Sequence, residues 1–405
     1  MIDYVDRVAD EILADALSRA GAVLVEGPKG CGKTETARQA AKSEVRVDVD
    51  PRVEIAMGID PALVLDGDTP RLVDEWQVQP LLWDTARHLV DDRQEKGQFI
   101  FTGSTASGEQ AARHSGAGRF ARVRMRTMTL FETGDSTGTV SLQNLAAGEE
   151  IRAVESSMNI STLFERMCRG GWPTNLELTL AQAQANNRDY ARTIAEVDIR
   201  TPDGAKRDPE KVMKVLRSLS RGLATEMSVA TIAKDTGINW ETVSDYLDSL
   251  QRIFISEDQL AWSQNLRSRT PLRKAPKRHL TDPALALAVL NVSPEALVKN
   301  LPFAGQVFES FVVHELRALT ARPVYHARLE DGLEVDALVE MDDAILAVEI
   351  KLGHSKEIVD GAAVSLLKIA KVLEGNVVPL VITGSGMSYQ RLDGVRVAAV
   401  DTLCP

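Results

Sequence analysis

The sequence predicts an α/β protein: a P-loop NTPase core, a helical segment with a winged helix-turn-helix, and a second α/β domain towards the C-terminal end. Three observations lead there. Residues Gly27 to Thr34 read GPKGCGKT, a complete G-x-x-x-x-G-K-[ST] match between an apolar run and a helix-forming segment. Helical stretches between Pro209 and Leu250 have helix-turn-helix spacing. Beyond Phe303, a helix, three strands, a helix and a strand carry Asp336, Glu349 and Lys351 in a D…E-x-K arrangement.

A chain of 405 residues is long enough for two or three domains, and 44% hydrophobic with 26% charged residues is ordinary soluble composition. No apolar run approaches the roughly 18 residues of a membrane span, and MIDYVDRVADEIL is acidic and amphipathic, unlike a signal peptide. Cys31, Cys168 and Cys404 are odd in number and far apart, which fits neither a disulfide framework nor a metal knuckle. A cytoplasmic protein without a membrane partner is expected. A net charge of −11 argues against coating nucleic acid over the whole surface, but leaves room for a local basic groove.

Taken in order, Ala22–Val25 reads as a strand, and the segment from Thr34 to Ala41 as the helix after the loop. A strand, a glycine loop and a helix N-terminus turn backbone N–H groups towards an anion. Gly27, Pro28, Lys29, Gly30, Cys31, Gly32, Lys33 and Thr34 are therefore the expected phosphate cradle. Lys33 is expected on the β- and γ-phosphates, and the Thr34 hydroxyl on Mg²⁺. Arg71 to Gln77 reads RLVDEWQ, a short apolar strand ending in two carboxylates. Asp74 is expected in the Mg²⁺ shell, and Glu75 to polarise the attacking water.

After a helix from Leu81 to Val90, the strand from Phe99 ends in Thr102, Gly103 and Ser104. A polar residue there can sense the γ-phosphate, Ser104 ahead of Thr102; the plain alternative is a serine capping the next helix. Arg113, Arg119, Arg122, Arg124 and Arg126 crowd one stretch. Some are the wet face of a strand, while Arg119, in a loop before it, is placed to reach a phosphate in its own or a neighbouring subunit.

With these elements the chain resembles a bacterial and archaeal AAA-type (AAA+) ATPase family. The P-loop, the LVDEWQ strand, the FIFTGS strand and the later Gly118-Arg119 carry the resemblance. Members of that family have a C-terminal domain of unknown function related to PD-(D/E)xK nucleases. The resemblance implies an AAA+ core, and homo-oligomers in which an arginine acts in trans are common among such modules.

Residues 135–160 are rich in Gly, Ser and Thr and read as a connection. Gly170-Gly171-Trp172-Pro173 stops a helix, an element that recurs in the family, and the run from Leu180 to Val197 suits a small helical lid. The next three helices start at Pro209, Val229 and Trp240, the second closed by Gly237 and the third capped by Asn239, with a wing strand expected from Ile253. The third helix exposes Glu241, Asp245 and Asp248 and no arginine, so DNA reading and a packing spacer both stay open. Arg267, Arg269, Arg273, Lys274, Lys277 and Arg278 follow, either a phosphate track or a solvated linker.

Glu349 and Lys351 lie two apart on one strand and share a face, with Asp336 beside them if the strands pair as a hairpin. Asp336 and Glu349 are expected to hold Mg²⁺, and Lys351 to orient water or steady charge on phosphorus. Glu309, in Val307-Phe308-Glu309, matches the helix glutamate of the nuclease-like domains as a further metal ligand, and Glu315 is the weaker alternative. His314, His326 and His354 are expected to be ordinary surface or strand residues.

The expected segments are thus 1–140 for the ATPase core, 141–208 for linker and lid, 209–265 for the winged helix and 266–405 for the nuclease-like domain. ATP and Mg²⁺ are the expected cofactors. Two functions are expected to compete: nucleotide turnover coupled to a DNA-interacting nuclease-like domain, or a nucleotide-driven switch binding a protein partner through an inactive one.

Overall fold

Alternation of side chains along five short strands builds the first sheet. In the computed structural model, which describes residues 4–104, 117–200, 203–262, 275–328 and 333–405, these strands are β1 (Ala22–Glu26), β2 (Ser43–Arg46), β3 (Arg71–Asp74), β4 (Phe99–Gly103) and β5 (Phe120–Arg124). They pair in the order β2-β3-β4-β1-β5, every neighbour parallel. Ala22, Leu24, Phe99 and Phe101 enter one apolar cluster, while Val23, Val25 and Ile100 enter another with Leu13, Ala16 and Ala37 from helices. The three central strands β1, β3 and β4 are buried along nearly their whole length and read as apolar runs, which makes them visible in the sequence; the edge strands β2 and β5 carry exposed charges and do not. The compact unit containing this sheet runs to Thr127 and takes in residues 197–206 and 249–254.

The remaining residues form a second unit around a mixed sheet. Its strands are β7 (Val154–Glu155), β8 (Val324–Arg328), β9 (Glu334–Glu340), β10 (Ile345–Lys351), β11 (Val377–Thr383), β12 (Met387–Gln390) and β13 (Arg396–Ala399), and their order is β7-β12-β13-β11-β10-β9-β8. β6 (Val140–Ser141) pairs with β14 (Leu403–Cys404). The stretch 135–160, read as a connection, therefore contributes two strands whose partners lie more than 200 residues later. Asp401 completes that join: its buried carboxylate accepts from the Ser156 and Ser157 hydroxyls and from the Ser157 and Met158 N–H groups. Two-residue strands held by such long-range partners carry no local periodicity to read.

The helices that follow run close to the expected pattern: Ile160–Arg169 stopping at Gly170, Leu180–Glu196, Pro209–Arg221, Val229–Thr236 and Trp240–Arg252, the last of which passes into the first unit from Ser249. Gly237 closes the Val229–Thr236 helix with φ 69°, and Asn239 Oδ1 accepts from the Thr242 N–H at 2.8 Å. Extended pairing begins at Ser256 rather than Ile253, where Ser256 bridges Leu280 and Gln259 bridges Lys277. Arg113, Arg267, Arg269, Arg273 and Lys274 lie outside the described residues. Lys277 and Arg278 are neither a free track nor solvated: they pair with Glu309 and Asp258, and both are largely buried. His314 and His326 are buried too, correcting any surface reading of them. Among the described residues no helix is long and apolar enough to cross a membrane.

Candidate functional site

Parallel strands bring their C-terminal ends to one edge, and the first cluster of charged and polar groups forms there. β1 runs into the glycine loop, whose last residue, Gly32, has φ 104° and serves as N-cap of the Lys33–Ala40 helix. A side chain at Gly27 would place its Cβ 2.4 Å from the Met125 carbonyl oxygen, so only glycine lets the loop leave the strand here. Lys33 is buried, and its ammonium donates to the carbonyls of Gly27 at 3.1 Å and Pro28 at 2.9 Å. Thr34 Oγ1 donates to Asp74 Oδ1 at 2.8 Å. The same carboxylate oxygen accepts from Thr102 Oγ1. Because β4 lies between β1 and β3, its Thr102 hydroxyl faces the Asp74 carboxylate across a parallel pair.

Glu75 follows Asp74 with φ 53°, an uncommon left-handed conformation for glutamate, and accepts from Gln77 Nε2. Burial first, then the neighbouring Asp74 charge, push its carboxyl above the usual carboxylate range, against the pull of Lys33. Ser104 directly follows β4 at this same edge. A hydroxyl and a carboxylate in contact at a glycine loop are hard oxygen donors of the kind Mg²⁺ takes, so the residues fit that ion.

Arg119 does not join them. It precedes β5, where Phe120 pairs with Ala22 at the start of β1, so the length of the strand, roughly 16 Å at about 3.3 Å per residue, separates it from the loop. Its guanidinium instead meets Asp91 at 2.5 Å on an exposed surface.

Two braces escaped the sequence reading. Arg7 is buried and donates to the Cys31 carbonyl at 2.8 Å and the Arg126 carbonyl at 2.9 Å, tying the chain before the first helix to the loop. Lys29 pairs at 3.2 Å with Asp198, from the turn after the Leu180–Glu196 helix. Neither residue belongs to a local motif; only the fold makes them neighbours.

The second cluster lies on the mixed sheet. β9 and β10 pair antiparallel as far as Val348 opposite Ala337, and there the ladder stops. The Asp336 side chain takes over, Oδ2 accepting from the Ile350 N–H at 2.8 Å and from Lys351 Nζ at 3.3 Å. Lys351 Nζ also lies 2.6 Å from Glu349 Oε2, so one ammonium bridges both carboxylates. Glu309, from the Leu301–Thr320 helix, is held by Lys277 at 2.5 Å. Burial pushes Glu309 and Glu349 above the usual carboxylate range, and the surrounding carboxylates hold Lys351 and Lys277 above the usual lysine range against their own burial.

A polar chain supports this cluster. Gln259 donates to the Asp336 carbonyl at 2.9 Å and meets His279 Nε2 at 3.1 Å, while His279 Nδ1 meets Ser310 Oγ at 2.9 Å. Burial holds His279 well below the usual histidine range, so the imidazole is neutral. Glu315 is elsewhere: fully buried, it accepts from the Leu130 N–H. Asp336, Glu349 and Glu309 are oxygen donors suited to Mg²⁺, yet among the described residues no three His, Cys, Asp or Glu side chains converge as a metal set.

Residues 19–134 match the family model of an AAA domain. Residues 160–296 and 304–403 match two domains of unknown function, DUF8612 and DUF4143. Uncharacterized proteins of Mycobacterium bovis and Mycobacterium tuberculosis are each 27% identical over 351 residues, spanning 84% of this chain and 72% of theirs. Among solved structures, the Walker-type ATPase PABY2304 of Pyrococcus abyssi is similar over 71% of this chain and 96% of its own, at 11% identity and a TM-score of 0.43. The AAA match falls on the segment that holds the glycine loop, Asp74 and Thr102, and it supports an AAA-type ATPase.

Proposed function

We propose that this chain binds ATP with Mg²⁺ in the loop Gly27–Thr34, hydrolyses it, and couples the turnover to a C-terminal PD-(D/E)xK-like domain that engages DNA. The observation that carries the ATPase reading is the single Asp74 oxygen shared by the Thr34 and Thr102 hydroxyls, with Lys33 and Glu75 on either side in sequence. Lys33 would leave its loop carbonyls for the β- and γ-phosphates, and Ser104 would contact the γ-phosphate. Thr34 and Asp74 would hold Mg²⁺, which when bound neutralises charge on the phosphate oxygens. Glu75, kept beside this edge with a raised proton affinity, would take the water proton. Arg119, on the far edge of its own sheet, would serve a neighbouring subunit of a homo-oligomer. Lys33→Ala should abolish phosphate release from ATP; undiminished hydrolysis would place the site elsewhere.

The Leu180–Glu196 helix would act as a lid, and the helices from Pro209 to Arg252 with the bridged segments at 256–259 and 277–280 would form a winged helix. The chain passes between the two units after Thr127, Glu196, Lys206, Asp248 and Phe254, and these crossings would carry a change in one unit to the other. Asp336, Glu349 and Glu309, which do not converge while Lys351 and Lys277 sit on them, would have to release these lysines and draw together to hold the metal of the second site, and Lys351 would then steady charge on the scissile phosphate.

A second reading has its own observation. Lys351 already bridges Asp336 and Glu349, and Lys277 already occupies Glu309, an arrangement that suits a nucleotide-driven switch whose C-terminal domain binds a protein and cuts nothing. Linear and circular DNA incubated with Mg²⁺ or Mn²⁺, beside an Asp336→Ala control, separates the two: metal-dependent cleavage lost in the control supports the first, and no cleavage with no gel retardation at low salt supports the second.

A further inference from the structure

Three helices of the second unit, Leu180–Glu196, Pro209–Arg221 and Pro283–Leu290, line a groove with a cavity volume of about 540 Å³. Its floor is apolar: Ala191, Ala195, Met213, Ala288 and Val289. Its walls carry cations in two rows. Arg188 and Arg192 lie four apart on one helix, Lys214 and Arg217 three apart on the next, spacings that put each pair on one helix face. Arg192 meets the exposed Asp189 at 3.2 Å. Among the described residues, Arg188, Lys214 and Arg217 have no carboxylate partner, in a protein whose net charge is −11.

We propose that this groove docks an acidic amphipathic helix of a partner protein. An apolar floor between charged walls has the anatomy of a protein interface, with an apolar centre for anchoring side chains and a polar rim that sets orientation. The unpaired guanidinium and ammonium groups fit carboxylates flanking those anchors, and arginine is the cation best suited to pairing with them. Met213 on the floor can repack around anchors of different shape. A nucleic-acid strand fits less well. It would leave the apolar floor in contact with phosphates and sugars, and it would find no aromatic ring in the lining on which to stack a base.

The test uses the full chain and fluorescence anisotropy. The probe is a fluorescein-labelled peptide of about 18 residues, five helical turns, with leucines at helical spacing and glutamates beside them. Companion probes replace the leucines by serine or the glutamates by lysine, and an equally labelled oligo(dT) stands for nucleic acid. Saturable binding of the first peptide is expected, weakened about tenfold or more in either companion. The double variant Arg188→Glu/Arg217→Glu should lose affinity by a similar factor while melting at the wild-type temperature. Met213→Glu should weaken binding through the floor instead of the walls. Three results would overturn the proposal: no saturable peptide binding, equal binding by the charge-reversed variant, or tighter binding of oligo(dT) that the same variant abolishes.

Discussion

Thr102→Val removes one hydroxyl from the first site while keeping the β-branched shape that β4 buries. Asp74 Oδ1 then retains the Thr34 hydroxyl as donor and loses the other. The oxygen remains out of water, because Asp74 is only 6% exposed and Thr102 only 1%. A hydrogen bond to a charged group contributes about 1.5–3 kcal/mol. Part of that loss falls on the folded state as such. The part that orients Asp74 during phosphoryl transfer, taken as about 1.4 kcal/mol, lowers kcat roughly tenfold. Phosphate release at saturating ATP and Mg²⁺ measures it, with thermal melting recorded beside it. Thr102→Ser keeps the hydroxyl and should recover most of the rate. A Thr102→Val protein with wild-type kcat would refute the idea that this bond positions Asp74, and a serine variant as slow as the valine one would assign the effect to packing.

Glu75→Gln should retain ATP binding and lose turnover by about a hundredfold or more, as removal of a general base does. In the wild type, burial and Asp74 raise the Glu75 carboxyl, so kcat should fall as pH drops through a value above the usual glutamate range, and a profile that stays flat down to that range would exclude Glu75 as the base. Arg119→Ala should leave nucleotide affinity intact yet slow turnover, and in the wild type the rate per chain should rise with protein concentration; a rate independent of concentration and of Arg119 would remove its role in trans. Asp401→Ala leaves the Ser157 and Met158 N–H groups without their acceptor, and at about 1–3 kcal/mol for each buried unsatisfied group a drop of roughly 3 kcal/mol in urea unfolding is expected.

The parts legible in the sequence are those whose cause is local. GPKGCGKT, the carboxylate pair after β3 and the capped helices around Gly237 each carry their signal within a few residues, since a loop, a strand end or a cap is decided by its neighbours. Register was legible one step further out: Glu349 and Lys351 share a face because strands alternate, and a hairpin was enough to bring Asp336 to them. On sequence alone Ser104 ranks ahead of Thr102, because the register between β3 and β4, which sets Thr102 opposite Asp74, is not written there. Lys277 belongs to a basic run in the sequence, yet its partner is a helix glutamate 32 positions later. Arg7, Asp198, Gln259 and His279 share this origin: each is a single polar residue whose meaning comes from a distant partner.

The two clusters also differ in what stands between their oxygens, and that difference bears on how the second would take a metal. At the first, hydroxyls of Thr34 and Thr102 touch Asp74, and neutral groups yield to a cation at little electrostatic cost. At the second, Lys351 sits on both Asp336 and Glu349, so an incoming divalent ion competes with an ammonium for the same oxygens. Three carboxylates and two ammoniums, Asp336, Glu349 and Glu309 against Lys351 and Lys277, have a formal charge of −1. Adding a divalent ion turns it to +1. A phosphodiester beside the cluster would draw Lys351 away from the carboxylates and be held better by the metal-loaded site. On the nuclease reading, metal and DNA should therefore bind cooperatively, each raising the affinity of the other by the same factor. Mn²⁺ titrated calorimetrically into the full chain, with and without a short DNA duplex, measures that factor. Affinity unchanged by the duplex would mean that Lys351 stays on its carboxylates, the behaviour of a structural ion pair.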